Sequence, residues 1–315
     1  QDPPNSSFTF PSSTSTNPFD SASIDPALTG HRDSSLRAYM SQLRKLISSS
    51  DILLQVLDAR DPLSCRSNAT ETLALSQGKR IILVLNKIDL VSDAERERLF
   101  TGAIGSLIRW QQASRPGVLP DYDEAVLRRE LALFPEWYVA RVLARAFSPD
   151  EQRLWDALQQ LLLDSNLGEA QVYVHRDYMP RNLMVADGEP GVLDFQDALY
   201  GPISYDVTSL FADAFYSWSA AERRQWLTRY WQQAAAAALP VPAQLESFLD
   251  QARLMGVQRH LKVLGIFARI CHRDGKPHYL ADAPRFVRYL REACTEDVRL
   301  QPLSELLDSL EMPAA

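Results

Sequence analysis

Val172-Tyr-Val-His175-Arg-Asp177-Tyr-Met-Pro-Arg-Asn182-Leu-Met-Val185 is followed by a polar turn and then by Gly191-Val-Leu-Asp194-Phe-Gln196, and the fold hangs on this stretch. A β-rich run delivers a His-x-Asp loop. An Asn follows five residues after the Asp. The turn Ala186-Asp-Gly188-Glu-Pro190-Gly191 then leads, hairpin-like, to a second strand that ends in Asp194-Phe195.

These residue types at this spacing suit phosphoryl transfer. A carboxylate must reach the attacking hydroxyl, which points to Asp177 as base or orienter. Hard cations prefer oxygen ligands. Asn182 and Asp194 supply such oxygens from adjacent strands, as ligands for Mg²⁺ against nucleotide phosphates. Read plainly, the same residues would form a buried hairpin with a few satisfied polar groups. Four positions in two strand contexts favour catalysis over a chance motif.

His175-Arg-Asp177 with Asn182, then Leu193-Asp194-Phe195, then Gly201-Pro202 and Tyr205-Asp206-Val207, resembles the aminoglycoside phosphotransferase and choline kinase-like group. Those proteins share the protein-kinase fold and phosphorylate small molecules. The variant Asp194-Phe-Gln-Asp197-Ala-Leu-Tyr-Gly-Pro202 is similar to that of the bacterial cell-wall sugar kinases, which act on the anomeric hydroxyl of N-acetylmuramate and N-acetylglucosamine. The resemblance runs from about Glu95 to the C-terminus. It implies ATP and Mg²⁺ as cofactors, a sugar hydroxyl as acceptor, and Asp206 as a brace for the catalytic loop. A plainer role for Asp206 is a cap on a helix over 207–215.

With 315 residues the chain holds one large or two modest domains. A hydrophobic content of 46% supports a real core, and a net charge of −7 argues against a broad nucleic-acid surface. Cys65, Cys271 and Cys294 form no metal pattern or disulfide framework, which fits a reducing cytoplasm. No apolar run reaches the ~20 residues of a membrane span, and no signal-peptide pattern opens the chain.

Residues 1–30 are rich in Pro, Ser and Thr and carry no Lys or Arg, so a disordered tail is expected. Leu36, Met40, Leu43 and Ile47 recur at helical spacing over 33–49. Asp51-Ile-Leu-Leu-Gln-Val-Leu-Asp58 and Arg80-Ile-Ile-Leu-Val-Leu-Asn86 are near-continuous apolar runs, the pattern of strands buried on both faces. A helix is expected over 66–77 between them. Helix–strand–helix–strand predicts an α/β fragment with a partial parallel sheet across residues 31–92.

The second of these strands ends in Asn86-Lys87-Ile-Asp89. The C-terminal end of a parallel strand is where α/β sheets bind ligands. With Asp58-Ala-Arg60-Asp61-Pro62 and Arg37-Ala-Tyr39, this motif resembles the circularly permuted, nucleostemin-like GTPases of ribosome assembly. The resemblance implies that Asn86, Lys87 and Asp89 read guanine, with GTP as ligand and ribosome-assembly partners. The same four residues would also serve simply to end a strand. The Gly-x-x-x-x-Gly-Lys-Ser/Thr loop that the permuted order places downstream does not occur in this sequence, so GTP hydrolysis is not expected.

The seam is placed at 92–93. Ser92-Asp-Ala-Glu95 predicts a capping box, and residues 93–315 then read as a mostly α kinase-like C-lobe carrying the small β-hairpin catalytic loop. Helices are expected over 121–146, 149–163, 207–218, 220–239, 242–267, 282–294 and 301–310. The 121–146 helix is mixed in charge, as a solvated face would be. Trp218, Trp226, Tyr230 and Trp231 suit either sugar stacking or core packing, and aromatics favour cores. His260 and His272 read as structural or surface residues. No Gly-x-Gly-x-x-Gly loop occurs in this sequence. The two resemblances together imply a GTPase fragment fused to a sugar-kinase C-lobe, with the phosphotransferase activity impaired where the nucleotide-gripping lobe is missing, or an inactive chimera of the two.

Overall fold

The computed structural model describes residues 41–58, 66–86, 92–184, 190–212 and 216–312. The expected tail over 1–30, the first half of the helix expected over 33–49, and Lys87 and Asp89 lie outside the described residues. These fall into two compact units, one of residues 41–54 with 67–82 and one of the remainder.

In the smaller unit, helix α1 covers 41–49 and buries Ile47. Helix α2 (Asn68–Ser76) lies in the same unit, and strands β1 (Ile52–Asp58) and β2 (Arg80–Asn86) begin in it and run on into the residues of the other. Ser67 caps α2 by accepting from the Thr70 amide. Lys79 Nζ donates to the Ser48 carbonyl at 3.2 Å. β1 and β2 are hydrogen-bonded neighbours in a two-stranded sheet. The expectation that β1 is buried on both faces fails. Ile52, Leu54 and Val56 are 49%, 57% and 62% exposed, while Leu57 is 2% exposed. Alternation sends those three to one face, and only the opposite face, which carries Leu57, is covered.

The larger unit is mostly helical. Its helices are α3 (Asp93–Gln112), α4 (Glu124–Leu133), α5 (Pro149–Leu167), α6 (Tyr205–Phe211), α7 (Ala220–Ala236), α8 (Leu245–Asp274), α9 (Ala283–Glu296) and α10 (Gln301–Ser309). Strands β3 (Gln171–Val174), β4 (Leu183–Met184), β5 (Gly191–Val192) and β6 (Leu199–Pro202) sit between α5 and α6. The predicted hairpin is the short antiparallel pair β4–β5, with Leu183 opposite Val192. β3 pairs instead with β6, antiparallel, from Gln171 opposite Pro202 to Val174 opposite Leu199.

β6 is not foreseen in the sequence, because Gly and Pro weaken a strand signal. Both have positional reasons. A Cβ at Gly201 would collide with Tyr122, and Pro202 is the last residue of its strand. The helix expected over 121–146 is also interrupted. α4 passes into a π-helical segment, Phe134–Val142, with Pro135 in its first turn. Proline has no N–H for the α-helical ladder, and such wide turns are a known accommodation. The expected capping box at α3 is half formed. Ser92 accepts from the Glu95 amide at 3.3 Å. The Glu95 carboxylate turns to Arg98, at 2.6 and 3.0 Å, because a bidentate charged pair outcompetes a neutral amide donor. Ser148–Glu151 and Ser219–Glu222 form complete boxes at α5 and α7.

The aromatic question resolves toward packing for three residues. Trp218, Trp226 and Tyr230 are buried with Phe100 and Phe211 in one core. Phe211 and Trp226 stack with centroids 5.1 Å apart. Trp231 is half-buried and donates to the Pro242 carbonyl at 2.8 Å. The helix expected over 207–218 ends at Phe211. A second core gathers α4, α5, α8, α9 and α10 around Phe134, Trp155 and Phe286. β3 stands between the two, with Val172 in the first and Val174 in the second. Burying such a valine contributes about 1.5–3 kcal/mol.

Candidate active site

β3 runs directly into the loop. Val174 is fully buried, and the Tyr173 amide donates to Ser114 Oγ at 2.6 Å. The amides of His175 and Arg176 both donate to the Asp206 carboxylate, at 2.7 and 3.0 Å. Asp206 lies in the first turn of α6 and is wholly buried. It therefore braces the loop, while the N-cap position of its own helix is Ser204, with no side-chain cap bond. Burial raises its pKa to about 7, against the two amides and Arg259, which favour the charged form.

Arg176 adopts φ +75°, a left-handed conformation uncommon for a residue with a side chain. It is held from three directions. Its amide meets Asp206, its carbonyl accepts from Arg259 Nη1 at 3.3 Å, and its guanidinium donates to Glu130 at 2.5 Å. The surroundings thus over-determine a costly backbone state, and this fixes the approach to Asp177.

Glu130 is the centre of that support. Besides Arg176, it accepts from Lys262 Nζ at 2.7 Å, Gln258 Nε2 at 2.8 Å and Tyr122 Oη at 2.8 Å. Burial acts to raise its pKa, but Lys262 and Arg176 outweigh it and hold the carboxylate at about 2. Lys262 also donates to Tyr205 Oη at 2.8 Å. The mixed-charge face expected here is thus partly interior, and Glu130 was missed. Its sequence signal is position: it falls within the apolar stripe Leu127, Leu131, Phe134.

His175 is fully buried, and its Nε2–H donates to the Leu193 carbonyl at 2.9 Å. Burial pushes its pKa down, so the ring is neutral and links the loop to the segment after β5. The Leu193 amide in turn donates to the Asn182 carbonyl at 2.9 Å. Asn182 Nδ2 donates to the Asp177 carbonyl at 2.9 Å, which leaves Oδ1 as the oxygen of that side chain. Asp177, Asn182 and Asp194 are thereby carried on two joined loops. Asp177 and Asn182 are half-buried. Asp194 is exposed, has φ +67°, and accepts from Gln196 Nε2 at 2.5 Å.

The donor set fits Mg²⁺. Among the described residues no three His, Cys, Asp or Glu side chains converge as a metal cluster. Mg²⁺ does not need one, because it usually keeps waters and binds one or two protein oxygens plus substrate phosphates. Asn182 Oδ1 and the Asp194 carboxylate are hard oxygens of that kind. Of the guanine-motif residues, Asn86 ends β2 with its side chain outside what is described, and Lys87 and Asp89 lie outside the described residues altogether.

His260 is buried on α8, where burial and Arg259 hold its pKa down at about 3. His272 is exposed. No helix among the described residues is long and apolar enough to cross a membrane.

Comparison with known proteins bears on both stretches of sequence. The N-acetylmuramate/N-acetylglucosamine kinase of Pseudomonas putida is 52% identical over 227 residues, covering 72% of this chain and 67% of that protein. Across three such bacterial relatives the chain spans 67%, 66% and 65% of their lengths. The guanine nucleotide-binding protein-like 3 homolog of Caenorhabditis elegans is 52% identical over 59 residues, which is 19% of this chain and 11% of that protein. Among solved structures, a choline/ethanolamine kinase family protein from Mesorhizobium loti aligns at 13% identity and a TM-score of 0.44, covering 70% of this chain and 69% of that one. Residues 29–248, including the whole of the braced loop, match the model of the phosphotransferase enzyme family. The chain belongs to that family.

Proposed function

We propose that this chain is an ATP-dependent sugar phosphotransferase acting on a hydroxyl of an N-acetylated amino sugar of the N-acetylmuramate and N-acetylglucosamine type, in the cytoplasm. The observation that carries the reading is the joined-loop arrangement of Asp177, Asn182 and Asp194, in a chain 52% identical over 227 of its residues to a kinase named for those sugars. Asp177 orients the acceptor hydroxyl and takes its proton. Asn182 and Asp194 are the residues that would hold Mg²⁺, which supplies charge neutralisation at the phosphates. Asp206, Arg259 and Glu130 keep the loop in its left-handed turn. Residues 93–315 act as the catalytic lobe in this reading, and residues 31–92 as a separate α/β segment with parallel strands.

The test is ADP formation with ATP, Mg²⁺ and either sugar. Asp177→Asn should lower turnover by about 10²–10⁴-fold, the usual worth of a positioned base, while far-UV circular dichroism stays unchanged. Turnover retained in the folded variant would disprove the assignment of Asp177.

The short match to the guanine nucleotide-binding protein supports a second reading, in which Asn86, Lys87 and Asp89 bind a guanine nucleotide. Titration with fluorescent GTP and ATP analogues separates the two. A GTP preference abolished by Asp89→Asn favours the second, and an ATP preference abolished by Asp194→Ala favours the first. A folded chain that binds neither nucleotide is the inactive chimera.

A further inference from the structure

Two buried carboxylates hold the catalytic loop, and they are partnered differently. Glu130 faces two cations, Arg176 and Lys262. Asp206 is buried more deeply still, and both of its oxygens are taken by neutral donors. Oδ2 accepts from the His175 amide and Oδ1 from the Arg176 amide.

None of the surrounding groups neutralises Asp206. On α8, the Arg259 guanidinium donates to Ser209 Oγ at 2.6 Å and to the Arg176 carbonyl, and lies over the Tyr205 ring at 4.4 Å. It favours the charged form of Asp206 without forming an ion pair with it. On the loop, Asp177 opposes that charge. The His175 ring is neutral and donates to the Leu193 carbonyl. The Tyr178 hydroxyl donates to the Ala103 carbonyl at 2.8 Å, and on α7 the Tyr230 hydroxyl donates to Gln111 at 2.5 Å. Burial, with Asp206 adding to it, keeps both phenols neutral. Beside the start of α6, Glu169 is a further buried carboxylate, bound to the Ser204 amide and hydroxyl.

Such a site cannot take a proton without loss. Two amides need two acceptor oxygens, and protonation turns one oxygen into a hydroxyl that needs an acceptor of its own. Burial favours that neutral form and brings the pKa up to about 7. One of the two amides belongs to Arg176, whose left-handed turn lies directly before Asp177. A residue with a side chain stays in such a turn only while its surroundings over-determine it.

We propose that Asp206 is an acid-sensitive latch on the catalytic loop, a positioning residue that closes the loop through both amides when ionised and releases one of them when either oxygen takes a proton. The latch itself does not depend on the phosphotransfer reading, whereas its effect on turnover rests on it.

The experiment is amide hydrogen exchange of the full chain between pH 5.5 and 8.5, resolved by residue and corrected for the intrinsic pH dependence of exchange. Protection at His175 and Arg176 should be about tenfold lower at pH 6 than at pH 8, because a group with a pKa of about 7 passes from protonated to ionised across that range. Global unfolding has the opposite sign. A carboxylate with a raised folded pKa contributes stability that is full below its unfolded value, near 3.8, and is lost as pH rises through 7. Amides of α8 that exchange by global unfolding should therefore lose protection over the same rise. Asp206→Asn has one acceptor oxygen and no titration, so protection at the two loop amides should be low and flat with pH. Glu169→Gln should keep the wild-type profile. The proposal is overturned if protection at His175 and Arg176 is flat in the wild type, or if it follows that of α8. It also fails if the profile survives in Asp206→Asn or disappears in Glu169→Gln. The exchange profile without any ADP formation would sustain the latch and sink the phosphotransfer reading. ADP formation with a flat profile would do the reverse.

Discussion

β1 and β3 are both apolar strands, and their sequences give little reason to expect different fates. In β1, Ile52, Leu54 and Val56 are exposed, while in β3 Val172 and Val174 are 2% and 0% exposed. The difference lies in what packs over them. β3 stands between two helical cores and pairs with β6. β1 also has one partner strand, but only one of its faces is covered. An apolar run thus announces a strand, but its burial depends on layers that come from elsewhere in the chain.

That contrast can be broken most forcefully at Glu130, which supports the loop that follows β3. Glu130→Ala leaves Arg176 and Lys262 without their shared carboxylate in the interior. It should cost about 3–5 kcal/mol, the usual penalty for removing one member of a buried ion pair, read as a lower urea midpoint at unchanged slope. A loss below about 1 kcal/mol would mean that the network is not what holds this region.

Acidity provides the next test. Glu169, two residues before β3, is buried and accepts from the Ser204 amide and hydroxyl at 3.1 and 2.8 Å. Burial raises its pKa to about 7, against those two donors. A raised folded-state pKa gives stability that is full below the unfolded value, near 4.5, and is lost as pH rises through 7. The effect is on the order of 3 kcal/mol. Glu169→Gln should therefore be the more stable protein at pH 8 and close to wild type at pH 4.5. Parallel urea curves at all pH values would refute this.

Truncation compares the strands themselves. Val174→Ala should cost about 2 kcal/mol from lost burial and the small cavity left behind. Val56→Thr, on the open face of β1, should stay within about 0.5 kcal/mol of wild type. If the two substitutions cost the same, β1 has a cover in solution and the contrast between the strands disappears.

Much of this was legible beforehand. The hairpin was legible because it is a local structure, but Asn182 and Asp194, expected on its strands, lie just outside them, before β4 and after β5. The serine cap of α3 was equally local. Glu130 was not legible as a support, since its partners Arg176, Gln258 and Lys262 are 46, 128 and 132 residues away. β6 was hidden by a glycine and a proline whose reasons are a neighbouring tyrosine and a strand end. The π-helical turn after α4 keeps enough helical periodicity to pass for ordinary helix.

Gly265 on α8 has no side chain, yet it restricts what variation the protein can accept. A Cβ there would collide with the Leu133 carbonyl group, where α4 meets the π-helical segment. α8 also carries Gln258, Arg259 and Lys262, so any residue that wedges the helices apart drags those three donors with it. A randomised library screened for activity should therefore return glycine at 265 almost without exception, and a scan that ranks positions by their contacts to substrate would overlook it.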